Sequence, residues 1–89
     1  MIRKDVTLVN KLGLHARAAS HLVKVASGFA ARVTIERDGA SANAKSIMGL
    51  MLLAAAKGHT VTVTADGADE NEALAAVEAL IRDRFHEEQ

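Results

Sequence analysis

Eighty-nine residues, 49% hydrophobic and 25% charged, are the make-up of one globular domain spanning 1–89, too short for two cores and too apolar for disorder. Eleven basic residues balance eleven acidic ones, and there are two phenylalanines but no tryptophan or tyrosine, so the cationic footprint and stacking platforms of a nucleic-acid binder are both missing. The absence of cysteine excludes disulfides and thiolate–zinc sites, and the absence of proline leaves the punctuation to six glycines and a few Asn, Asp and Ser residues.

Ile2, Val6 and Leu8 alternate with Arg3, Asp5, Thr7 and Val9, a half-buried strand with Lys4 out of place. Its charged start leads into no apolar h-region, so no signal peptide is expected. Asn10-Lys11-Leu12-Gly13 reads as a loop. Ala16 to Ser27 then takes helical spacing, with Ala19, Leu22, Val23 and Ala26 on one stripe. Gly28 is the expected left-handed stop. Val33 and Ile35 open a hairpin whose Asp38-Gly39 pair suits a type I′ turn, and Ala40 to Ala44 returns as a short strand.

Ser46 is placed to cap a second helix over Ile47 to Lys57, with Gly58 after it. The apolar run inside it, Ile47 to Ala56, is ten residues, where a membrane span needs about 20; no membrane insertion is expected, and the cytoplasm is the expected compartment. Leu50, Leu53 and Ala54 are expected to face the sheet. Thr60 to Thr64 alternates strictly as a strand, and Asp66-Gly67 turns it. Asp69 and Glu72 then form a D-x-x-E box before a third helix with Leu74, Val77, Ile81 and Phe85 on its apolar face. The tail His86-Glu87-Glu88-Gln89 is expected to fray.

The order β-α-β-β-α-β-α predicts an α+β fold, a four-stranded antiparallel sheet with three helices on one face. Its other face would carry Arg3, Asp5, Thr7, Thr34, Glu36, Thr62 and Thr64 toward water.

Chemistry gathers where the first loop becomes a helix, at Gly13-Leu14-His15-Ala16-Arg17. First-turn N–H groups lack intrahelical acceptors and lie at the positive end of the helix dipole, so the backbone of Ala16, Arg17 and Ala18 suits an anion. Arg17 adds a guanidinium fork that matches phosphate oxygens. The same dipole disfavours a cationic ring at His15, leaving a ring nitrogen for attack, and Gly13 permits a close backbone approach. A histidine near a helix start is commonplace by itself; beside an anion cradle it suggests phosphohistidine chemistry. His21, six residues on, lies on another helical face, His59 sits in a turn, and no metal site is expected.

This motif resembles that of the HPr family, histidine phosphocarriers of the bacterial phosphoenolpyruvate:sugar phosphotransferase system. Asn43-Ala44-Lys45-Ser46-Ile47-Met48-Gly49-Leu50-Met51 resembles the family's second signature, and length and element order agree across the chain. The resemblance implies an HPr-like open-faced β-sandwich acting as a carrier rather than an enzyme, with no cofactor and as a monomer. It also implies that His15 takes a phosphoryl group on Nδ1 from phosphorylated enzyme I and gives it to a histidine of an enzyme IIA protein, with Arg17 steadying it. In many bacteria the serine matching Ser46 is phosphorylated by HPr kinase/phosphorylase, placing negative charge beside the docking surface. That surface is expected at Ile47, Met48 and Met51, rimmed by Arg17, Ser20, Lys24 and Ser27.

Two positions depart from the commonest family pattern. Ala18 stands where proline is frequent, and Leu12 where many members carry a small polar residue. Either the sugar-transport branch or the regulatory nitrogen-related branch is compatible. A ligand- or RNA-binding α/β module is the reading from another class, and the lack of strand aromatics weighs against RNA.

Overall fold

In a computed structural model, residues 1–87 are described. The chain runs β1 (Ile2–Thr7), α1 (Ala16–Ser27), β2 (Arg32–Arg37), β3 (Ala40–Asn43), α2 (Ile47–Leu52), β4 (Thr60–Asp66) and α3 (Glu70–Arg82), followed by a 3-10 turn at Arg84–His86. The four strands form one antiparallel sheet in the order β1-β4-β2-β3.

Strand alternation sends one set of side chains beneath the helices. Val6, Val33, Ile35, Val61, Val63 and Ala65 are buried there with Leu22, Leu50, Val77, Ile81 and Phe85 in a continuous core. In this layer α3 packs on β1 and β4, α2 on β3, and α1 between α2 and α3. Lys4 falls on the covered side, opposite Val63, and its Nζ reaches the Glu78 carboxylate of α3 at 2.8 Å. The side chain stays half exposed with its charge paired, which accounts for a lysine at an apolar position of β1. On the open face Thr62 donates to Asp5 at 2.7 Å, and Arg3, Asp5 and Thr7 are exposed. Thr64, flanked in register by Arg3 and Thr34, is buried instead of facing water.

The hairpin turn is as predicted, with φ of 49° at Asp38 and 83° at Gly39. Ser46 caps α2 by accepting from the Gly49 N–H at 3.1 Å.

Several further expectations are corrected. The second helix stops at Leu52, not Lys57: Ala54 turns left-handed at φ 51° and is exposed, while Leu53 and Ala55 are both buried. Burial two residues apart is extended spacing, so the apolar run combines a short helix with a loop. Gly28 closes α1 in right-handed geometry at φ −76°, because i→i−3 bonds to Val25 and Ala26 tighten the last turn. The α1 stripe also includes buried Ala18, while Val23 is half-buried at the edge of the core. Asp69 does not cap α3; its carboxylate accepts from the N–H groups of Ala30 and Ala31, each at 2.8 Å, and so clamps the loop after α1. Phe85 reaches the core from beyond α3, carried by left-handed Arg84, Phe85 and His86 at φ 55°, 54° and 66°. Glu87 is therefore ordered rather than frayed, and the rest of the expected tail, residues 88–89, lies outside the described residues.

Candidate functional site

The loop ahead of α1 is shaped by its contact with the loop after α2. Gly13 takes φ 63°, and a Cβ there would stand 2.5 Å from the Ala55 carbonyl oxygen. Leu14 donates to that same oxygen at 2.9 Å, while Leu8 and His59, with Gly58, tie the end of β1 to the start of β4. The glycine serves the approach of the protein's own backbone as well as the turn.

His15 follows as the N-cap of α1. Its carbonyl accepts the first helical bond from Ala19 at 2.8 Å, yet its side chain makes no capping bond. The N–H groups of Ala16, Arg17 and Ala18 thus keep the unpaired state of a helix start, and no acidic residue occupies the first turn. Ala18 also has a fully buried methyl. A proline there would keep the helix but delete one of these donors.

The imidazole is engaged from the other side. His15 Nε2 lies 2.7 Å from Glu87 Oε2, and Asn10 Nδ2 donates to Glu87 Oε1 at 2.8 Å and to the Gly13 carbonyl at 2.7 Å. Asn10 is wholly buried, and the side chains of His15 and Glu87 are 25% and 15% exposed. Burial pushes the Glu87 carboxyl up, but hydrogen bonds from Asn10 and His15, then the charges of His15 and Arg17, outweigh it and hold the group below the usual carboxylate range. An ionised carboxylate only accepts, so Nε2 carries the proton, and in a neutral ring Nδ1 keeps its lone pair.

Glu87 and Arg17 also border an open depression of about 720 Å³, lined besides by Lys11, Leu12, His21, Phe85 and His86. Arg17 also shares a smaller groove with Ser20, His21 and Lys24, so these residues of α1 form one surface. His21 meets His86 edge to face, with ring centroids 5.8 Å apart. Ile47, Met48 and Met51 are exposed on α2, Ser27 is exposed at the far end of α1, and Ser46 is half-buried at the start of α2. Sequence reasoning missed Leu52, which is 81% exposed and extends the apolar face of α2. It also missed Asn10 and Glu87, which lie 77 positions apart with no local pattern to link them.

A family model described as "PTS HPr component phosphorylation site" matches residues 2–83. The chain belongs to the HPr family. It is 52% identical to the phosphocarrier protein HPr of Cupriavidus necator over 87 residues, covering 98% of each chain. It is 43% identical to the phosphocarrier protein NPr of Shewanella violacea over 86 residues, 97% of this chain and 94% of that one. The crystal structure of HPr-C-His from Thermoanaerobacter tengcongensis superposes with a TM-score of 0.95 at 43% identity over all of both chains. These relatives bear out the expected family and its open-faced α+β fold. No helix among the described residues is long and apolar enough to cross a membrane.

Proposed function

We infer that His15 is the phosphoryl acceptor and that the protein carries the group in the cytoplasm from phospho-enzyme I to a histidine of an enzyme IIA protein. The observation that supports this reading is that His15 begins α1 without using its side chain as a cap, so the ring stands beside the unpaired N–H groups of Ala16, Arg17 and Ala18. The Nδ1 lone pair attacks phosphorus in line, the N–P bond forms, and the donor leaves with the electrons of its own bond to phosphorus. Helix donors and the Arg17 guanidinium offset charge on the three equatorial oxygens. Ala16 and Arg17 are exposed, so the group is held without being trapped. Ser20, Lys24, Ser27, Ile47, Met48 and Met51, with Leu52, form the docking face for successive partners. The higher identity to an HPr than to an NPr favours the sugar branch. The single domain works as a monomer.

Ser46 is a second, regulatory site for an HPr kinase/phosphorylase. Its hydroxyl already contacts the Gly49 N–H, and a phosphate there adds negative charge beside the apolar face of α2.

Incubation with enzyme I and labelled phosphoenolpyruvate tests the main reading. One acid-labile, base-stable phosphate is expected on the wild type and none on His15→Ala. An unlabelled wild type with competent enzyme I rejects it. In the same format, ATP and the serine kinase should label the wild type and leave Ser46→Ala unlabelled.

A further inference from the structure

The side chain of Glu87 lies across the acceptor histidine from a part of the chain that neither motif includes. We propose that Glu87, held in place by Asn10, is a positioning residue that keeps His15 in the Nε2–H tautomer and turns Nδ1 toward the helix donors; this rests on His15 being the acceptor.

Three features of the molecule support it. Both carboxylate oxygens are committed, one to Asn10 and one to His15, so the group cannot rotate away without losing two bonds. Asn10 is itself anchored, since its second N–H is spent on the Gly13 carbonyl and its side chain is fully buried. The backbone bringing Glu87 here runs through three successive left-handed residues that are not glycine, with Phe85 buried among them. Such a conformation persists only where its surroundings hold it.

The consequence is chemical. A neutral imidazole has one lone-pair nitrogen, and the hydrogen bond made by one nitrogen decides which form the other takes. With Nε2–H committed to Glu87, only Nδ1 can attack. When the N–P bond forms, the ring becomes cationic and keeps its Nε2 proton, now facing an ionised carboxylate, so no proton has to leave. When the group moves on, the electron pair returns to Nδ1 and the starting tautomer is restored. The arrangement has the logic of a carboxylate that orients a catalytic histidine, here applied to a nucleophile.

The test combines a spectroscopic readout with a rate. In protein carrying ¹⁵N-histidine, at a pH where the ring is neutral, wild-type His15 should show a protonated Nε2 and an unprotonated Nδ1. In Glu87→Ala the two signals should move toward a tautomer mixture, and phosphoryl uptake from phospho-enzyme I should slow on the order of tenfold, with a lower thermal midpoint but a folded chain, since Asn10 loses one acceptor. Glu87→Gln retains one oxygen that can accept from Nε2–H, so it should recover most of the wild-type tautomer and part of the rate. Wild-type ¹⁵N shifts in Glu87→Ala overturn the proposal, whatever happens to the rate. Failure of the wild type itself to take label rejects the acceptor reading instead, and the ¹⁵N result still decides whether Glu87 sets the tautomer.

Discussion

Gly13 carries two constraints at once, a left-handed backbone and a carbonyl 2.5 Å from where a Cβ would stand. Gly13→Ala should therefore cost about 3 kcal/mol, the sum of left-handed strain and overpacking, read as a lower urea midpoint. An unchanged midpoint would mean that the two loops separate freely. The glycine itself is legible in the motif, but its counterpart is not, because Ala55 and Ala56 belong to a run that reads as helix. His15 and Arg17 are equally legible, since a helix start advertises itself through local spacing. Asn10 reads as an ordinary loop residue and Glu87 as part of a loose tail. What makes them neighbours of His15 is the tertiary path of the chain.

Among the elements, α2 departs furthest from expectation, and its short length is what exposes its apolar side chains. Hydrophobic periodicity does not separate a helix from a buried extended segment in a run this short. Only the folded chain shows that Leu50, Leu53 and Ala55 turn inward while Met48 and Leu52 stand 71% and 81% exposed. A charge at either exposed position has no core to disrupt. Met48→Asp and Leu52→Asp should each raise the carrier concentration needed for half-maximal labelling by enzyme I about tenfold, as loss of one central apolar contact would, with unchanged melting. Wild-type dependence in both variants would place docking elsewhere. The strands, in contrast, were readable almost throughout: β-branched alternation identified β4, and Asp38-Gly39 fixed the hairpin. Even Lys4 follows once α3 supplies Glu78, which also holds Arg82 at 2.8 Å.

For the molecule as a whole, four carboxylates bind the layers together, and all four are held below their ordinary range. Asp69 is held chiefly by the N–H of Ala30, Glu70 by that of Gly67 and Glu78 by Lys4. Glu87 is lowered against the effect of its burial by Asn10 and His15. A folded-state value below the unfolded one means that the stabilisation is complete above the unfolded value of about 4 and is lost as the pH falls through the folded values. Thermal midpoints should thus be insensitive to these groups between about pH 6 and 7 and decline steadily below about pH 4. In Asp69→Asn that acid decline should be shallower, and a slope equal to the wild type would remove Asp69 from the account. The strand order β1-β4-β2-β3 also has a consequence in time. Synthesis delivers residues 2–7 and His15 before their partners, since among the described residues β1 pairs with β4, the loop before α1 leans on Ala55, and the ring meets Glu87. A chain still emerging from the ribosome short of residue 60 carries the histidine without the strand or the carboxylate that shape its surroundings. His15 is made before the strand and the carboxylate that complete its setting.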